Sequence, residues 1–187
     1  MMISFQTDDI HLQLKTAPGL FSPGNPDTGT LAMLSCASFT SEDKVLDLGC
    51  GYGLVGIYIA KIIGGQHVTM SDIDESAVRL AKENTVVNDT PDITILLSDG
   101  FTNIPDSGYT LILSNPPYHS DFRIAKHFIE KGFNRLVIGG KMLMVTKRKE
   151  WYKNKFTAVF GGVQIREING YTIFIAEKRQ SRYANSL

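Results

Sequence analysis

Cysteine is nearly absent from this chain: Cys36 and Cys50 are the only two in 187 residues. Two thiols at that spacing build neither a disulfide framework nor a zinc site, so a reducing, cytoplasmic setting without a metal is expected. Long apolar runs are missing too. The longest candidate, residues 54–63, is interrupted by Gly56 and Lys61 and falls far short of the roughly 20 residues a membrane span needs. The opening MMISFQTDDIHLQL has no basic stretch ahead of an apolar one, so no secretory signal and a soluble chain are expected. Nothing resembling a repeat, a low-complexity tract or a linker divides the sequence. We therefore expect one domain over residues 1–187: an N-terminal portion to residue 40, a core over 41–178 and a tail over 179–187.

Net charge is also absent, with 19 Lys+Arg against 19 Asp+Glu, but the charges are not mixed. Residues 1–119 carry 5 basic against 14 acidic side chains, and residues 120–187 carry 14 against 5. Balances of −9 and +9 mark the second part as the side for an anionic partner, or else as solvated helix faces.

What is present is alternation. Residues 3–6 and 10–15 read as a small β-hairpin around Thr7-Asp8-Asp9. A Gly- and Pro-rich loop, APGLFSPGNPDTGT, leads to Asp27, a candidate N-cap for an apolar helix over residues 28–39. Strands are then expected at 45–48, 67–71, 93–97, 109–114 and 142–146. Helices are expected at 54–63, from the cap Asp74 through Asn84, at 121–133 and at 151–159. Asn169-Gly170 between apolar runs signals a closing hairpin of residues 163–168 and 171–177. Strand–helix alternation of this kind implies an α/β, doubly wound, mostly parallel sheet with an antiparallel strand at its C-terminal edge. Ligands of such sheets sit beyond the carboxyl ends of the strands.

Two motifs lie at those ends. Asp47-Leu48-Gly49-Cys50-Gly51-Tyr52-Gly53 joins a strand to a helix, and its glycines let the backbone turn tightly and approach a ligand. From Gly51 the stretch also matches the dinucleotide pattern G-x-G-x-x-G, a weak signal by itself. Asp47 tilts the choice, because a carboxylate there repels a pyrophosphate at the helix N-terminus and suits the ammonium of a methionine moiety. Asp72, 21 positions past Gly51, suits ribose hydroxyls of either adenosine cofactor. Asp99, before Gly100, can accept from an adenine amino group.

The second motif is Asn115-Pro116-Pro117-Tyr118. A conjugated amino nitrogen is a poor nucleophile, since its lone pair is delocalised. The Asn115 side-chain oxygen and the Pro116 carbonyl can accept its two hydrogens. They thereby favour the tetrahedral nitrogen formed as a methyl group arrives. Paired prolines stiffen the backbone, and Tyr118 can stack on the planar group. His119 and Asp121 are candidates for assisting proton departure. Together these residues point to an S-adenosylmethionine-dependent N-methyltransferase.

At this point the sequence resembles the class I "methyltransferase small domain" family, which includes the bacterial small-subunit ribosomal RNA guanine-N2 methyltransferases. VLDLGCGYGLVGIYIA, SDIDESAVRLAKEN, LSDGF and SNPPYH resemble its four motifs. PGLFSPGNPDTGT resembles the segment that precedes the fold and closes over the cofactor. Tyr118 stands where many ribosomal RNA relatives carry Phe, and Ser120, Asp121 and Phe122 where they commonly carry a glycine. The resemblance implies a Rossmann-like methyltransferase sheet. It also implies a cofactor, S-adenosyl-L-methionine (product S-adenosyl-L-homocysteine), held by Asp47, Gly49, Cys50, Gly51, Gly53, Asp72, Ile73, Asp99, Gly100 and Asn115. A guanine N2 amine of small-subunit rRNA would then be bound by residues 115–118 with His119, Lys147 and Arg148. Lys149, Trp151, Tyr152, Arg179 and Arg182 extend that basic, aromatic surface. The alternatives are a protein glutamine amide, an adenine or small-molecule amine, and, in another class, an NAD-dependent oxidoreductase. The last leaves Asp47 and Asn115–Tyr118 unexplained.

Overall fold

Two apolar runs with an inner Asp47 and an outer serine, β3 (Val45–Leu48) and β6 (Tyr109–Ser114), lie parallel at the centre of a seven-stranded sheet. The computed structural model describes residues 1–7, 9–117 and 122–185. From β3 the chain winds outward through α2 (Leu54–Ile63), β4 (Val68–Asp72), α3 (Glu75–Val87) and β5 (Thr94–Leu97). After β6 it winds the other way, through α4 (Phe122–Arg135), β7 (Leu136–Thr146) and α5 (Lys149–Phe160). The hairpin of β8 (Gln164–Ile168) and β9 (Tyr171–Glu177) then joins β7 through antiparallel pairing of β9. The strand order is β5-β4-β3-β6-β7-β9-β8, so the direction of winding reverses between β3 and β6. A crevice opens at such a switch point, outside the carboxyl ends of the strands. The doubly wound sheet with its antiparallel C-terminal strand pair therefore matches the expected architecture.

Both faces of the sheet are covered, and alternate residues serve each. Val45, Leu111, Leu113, Leu143 and Val145 pack toward α2 and its neighbours. Leu46, Leu48, Ile112, Met142 and Met144 pack toward α4 and α5. That period-2 division explains why the central strands are apolar throughout. Among the described residues no helix is long and apolar enough to cross a membrane.

The N-terminal hairpin, β1 (Met2–Gln6) with β2 (His11–Lys15), forms its own two-stranded sheet. Side-chain amides fasten it to α3. Asn84 accepts from Lys15 N–H at 2.7 Å and donates to the Lys15 and Tyr52 carbonyls. Asn88 accepts from Gln13 N–H at 3.0 Å and donates to the Gln13 carbonyl. Two residues along a strand advance about 6.6 Å and four along a helix about 6 Å, so amides at i and i+4 pair with alternate strand residues.

Three boundaries differ from the expected ones by about three residues or more. α1 (Thr28–Ser35) ends four residues early, where Cys36 and Ala37 bond three residues back to Met33 and Leu34. α3 runs past Asn84 to Val87, because Asn84 is buried and bonded outward instead of ending the helix. β7 begins six residues before Met142, with a register shift opposite residues 109–111. Gly139 at φ 86° and Gly140, whose added Cβ would stand 3.0 Å from the Tyr109 and Val137 carbonyls, make that irregularity possible. Such bulges disguise a strand in the sequence.

Candidate active site

Each element of the crevice is positioned by its own sequence. β3 is followed by Gly49, Gly51 and Gly53, at φ 77°, 55° and 95°, and α2 starts directly after. Gly49 and Cys50 donate their N–H groups to the Ser71 carbonyl at 2.8 and 2.9 Å, which ties the loop to β4. A Cβ at Gly49 or Gly51 would meet no protein atom. The need for glycine there is set by backbone conformation and by what approaches the loop.

The crevice is a cavity of about 320 Å³, at the lower end of the range for small-molecule clefts. Around it the structure gathers Asp47, Gly49, Cys50 and Gly51 from the loop, and Asp72 and Ile73 from the end of β4. Asp99 and Gly100 close it after β5, and Asn115, Pro116 and Pro117 after β6. At Gly53 an added Cβ would point at Ile57, Met70 and Ala81, 3.2 to 3.4 Å away. Its glycine serves the left-handed N-cap of α2 and the packing beneath it. Tyr118, His119 and Asp121 lie outside the described residues.

Asp47 is only 3% exposed, and its Oδ2 accepts from Gly56 N–H at 2.9 Å in the first turn of α2. The donor that a dinucleotide phosphate would seek is therefore taken by a carboxylate. Burial pushes the Asp47 carboxyl up to about 7; the Gly56 bond opposes the rise and neighbouring Asp72 adds to it. Gly56 completes the dinucleotide-like pattern for another reason: a Cβ there would stand 2.3 Å from Met70 Sδ, so glycine permits α2 to press on β4.

Asp72 is held by two backbone groups. Its Oδ2 accepts from Gly51 N–H at 2.8 Å and its Oδ1 from Asp74 N–H at 3.0 Å. Asp99 is exposed at the rim. Ser71, 1% exposed, lines the cavity with a hydroxyl that has no hydrogen-bond partner among the described residues. Burial, then Asp47 and Asp72, raise the Cys50 thiol well above its ordinary value. A thiol so disposed stays protonated and unreactive.

Asn115 is tied by its nitrogen. Nδ2 donates to Asp27 Oδ2 at 3.0 Å and to Thr30 Oγ1 at 2.9 Å, which uses both amide hydrogens and leaves the carbonyl oxygen as its free function. Asp27 was legible as an N-cap, and it does accept from Thr30 N–H at 2.7 Å. Its contact with Asn115, 88 residues away, was not legible, nor were the cavity positions of Thr30, Tyr52 and Phe21. The only signal was that the loop leading to Asp27 resembles a cofactor-closing segment. Burial, with Asp27 nearby, raises the Tyr52 phenol to about 12.

Lys147 and Arg148 are exposed beyond β7 and do not line the cavity. Lys147 Nζ lies 4.8 Å from the Tyr171 ring centroid, and the Arg148 guanidinium 5.0 Å from that of Phe122. Phe122 in turn stacks on Trp151, centroids 4.3 Å apart. The first described residue of α4 thus contacts both a cation and an indole. No group of three or more His, Cys, Asp or Glu suited to a metal occurs among the described residues.

A family model, the methyltransferase small domain, matches residues 11–175. The ribosomal RNA small subunit methyltransferase C of Haemophilus ducreyi is 35% identical over 162 residues, covering 82% of this chain and 48% of its own length. That of Hamiltonella defensa is 32% identical over 165 residues, covering 86% and 48%. The chain thus spans about half the length of these relatives. The fold of a Thermus thermophilus 16S rRNA N2 guanine methyltransferase, solved with AdoMet and guanosine, superposes with a TM-score of 0.85. It is 24% identical and covers 96% of this chain and 50% of that one.

Proposed function

The chain belongs to the methyltransferase small domain family, and from that premise we propose that it is an S-adenosylmethionine-dependent N-methyltransferase of a guanine N2 amine in small-subunit ribosomal RNA. The observation that carries this reading is the meeting of Asn115 and Pro116 with the carboxylates of Asp47, Asp72 and Asp99, and with a Ser71 hydroxyl that has no partner among the described residues, around one cavity. A cationic ligand rich in hydroxyl and amino groups fits that donor set; a pyrophosphate does not, because Asp47 occupies the first turn of α2. The nicotinamide alternative is set aside on that ground and on family membership.

In this reading Asp47 and the backbone at Gly49, Cys50 and Gly51 hold the methionine end, Asp72 with Ile73 the ribose, and Asp99 with Gly100 the adenine. The cofactor supplies a sulfonium methyl: the substrate nitrogen's lone pair forms the N–C bond as the C–S bond breaks, sulfur keeps that pair, and S-adenosylhomocysteine remains. The protein orients the amine and stabilises charge. Asn115 Oδ1 and the Pro116 carbonyl accept the two amine hydrogens, and these bonds strengthen as the nitrogen becomes positive. No strong base is needed, since the methylated nitrogen is acidic before it releases its proton. Pro117 stiffens the turn, and the sequence assigns Tyr118 and His119 to the target base in the same proposal. Lys147, over the Tyr171 ring, and Arg148, beside the Phe122–Trp151 stack, would meet the phosphates and flanking bases. The names of the similar proteins support RNA as partner and, with it, a cytoplasmic setting.

The test offers labelled cofactor with deproteinised small-subunit RNA, assembled subunits, or release factor. Label in RNA or subunits is the expected result. Label confined to release factor overturns the RNA substrate in favour of a glutamine amide. Thermal shift with S-adenosylhomocysteine and with NAD checks the cofactor: stabilisation by NAD alone would sink the methyltransferase reading.

A further inference from the structure

The Asn115 amide is held by residues to which no role in the reaction has been given. Its Nδ2 donates to Asp27 Oδ2 at 3.0 Å and to Thr30 Oγ1 at 2.9 Å, and all three residues line the cavity. We propose that Asp27 and Thr30 are positioning residues that lock the Asn115 amide with Oδ1 toward the substrate amine and strengthen that oxygen as an acceptor. The proposal rests on the reading of Asn115 as the amine site.

Chemistry selects one of the two amide orientations. Turned by half a revolution, Asn115 would set its own oxygen against a carboxylate oxygen, which accepts and cannot donate when ionised. The orientation seen satisfies both amide hydrogens of Asn115, so rotation costs a charge-assisted bond and adds a repulsion. The holders are themselves fixed. Asp27 Oδ2 also caps α1 through Thr30 N–H at 2.7 Å, and Thr30 is buried. Gly29 between them seats α1 on β9: a Cβ there would stand 2.6 Å from the Tyr171 ring. A single carboxylate oxygen thus aligns the start of α1 with the amine site.

The same contact has an electronic consequence. Negative charge on the nitrogen side of an amide shifts electron density toward its oxygen, a case of cooperative hydrogen bonding. Asn115 Oδ1 becomes a better partner for a nitrogen that turns positive during methyl transfer. The Asp27 charge also favours that cation through space, in a pocket where screening by water is reduced.

The experiment uses the full chain and the variants Thr30→Val, Thr30→Ser and Asp27→Asn. Thr30→Val keeps shape and removes an acceptor; Asp27→Asn keeps a capping oxygen and removes the charge. The Asn115 side-chain amide is followed by nitrogen–proton NMR, assigned through its loss in Asn115→Ala, alongside kcat, KM and S-adenosylhomocysteine affinity. In Thr30→Val one amide proton should move upfield and exchange about tenfold faster, and kcat should fall about tenfold with cofactor affinity held within about twofold. Thr30→Ser should restore both. Asp27→Asn should lower kcat while the amide protons remain protected. An Asn115 signal unchanged in Thr30→Val, or kcat unchanged in both Thr30→Val and Asp27→Asn, overturns the proposal. If the wild-type chain methylates no RNA, protein or nucleoside, the functional reading fails, while the amide signal still decides whether Asp27 and Thr30 hold Asn115.

Discussion

Replacing Asp47 with Asn should make the cofactor-free protein more stable at alkaline pH and worse at binding its cofactor. Asp47 is 3% exposed, and burial raises its carboxyl from 3.8 to about 7 in the folded chain. The folded state therefore holds the proton more tightly than the unfolded one. The stability this contributes is fully present below about pH 4 and is lost as pH rises through about 7. At about 1.4 kcal/mol per unit, a shift of about three units corresponds to about 4 kcal/mol of stability lost across that window. Asparagine keeps an oxygen for Gly56 N–H and carries no charge, so the pH-dependent loss disappears. Binding runs the other way. An ammonium beside Asp47 favours the ionised form, so affinity for S-adenosylhomocysteine should rise with pH up to about 7 and level off above it. Denaturant unfolding from about pH 5 to about pH 8.5, with calorimetric titration at the same values, reads both quantities. Wild type should lose stability and gain affinity with pH, and Asp47→Asn should show neither trend. Parallel pH profiles for the two proteins would refute the reasoning.

Asn115→Ala should cut methyl transfer at least about a hundredfold while cofactor affinity stays nearly unchanged; equal loss of both would contradict its assignment to the amine. Asn84→Ala strips partners from Lys15 N–H and from the Lys15 and Tyr52 carbonyls, so it should cost about 3 kcal/mol and release the hairpin. Thermal unfolding and limited proteolysis before residue 17 measure this, and an unchanged Tm would refute it. Gly56→Ala drives a methyl group to 2.3 Å from Met70 Sδ and should cost about 2 kcal/mol. The double variant with Met70→Ala should cost less than the sum of the single changes, and strict additivity in denaturant unfolding would count against that contact.

Much of the architecture was legible because it is periodic. β3, β6 and β9 begin and end where their apolar runs do, and α2 spans the residues expected of it. Exceptions arise where distant contacts override a local signal. Asn84 looks like a helix end and is a buried tie to β2; Gly139-Gly140 looks like a break and is a bulge within β7. The site shows the same division. The glycine loop, the three carboxylates and Asn115 lie at strand ends, which the winding pattern specifies, and they surround one cavity. Asp27 and Thr30 reach Asn115 only because α1 folds back across the sheet, and no local spacing encodes that. A glycine that serves packing, as Gly53 does, and one needed near a ligand look alike in sequence.

The most direct measurement is the identity of the methylated nucleoside. RNA from small subunits incubated with the protein and labelled cofactor is digested and resolved by mass spectrometry. The proposed function predicts label in N2-methylguanosine, formed by wild type and lost in Asn115→Ala. Label in a methylated adenosine, or none in RNA while a protein or free amine is methylated, would contradict it.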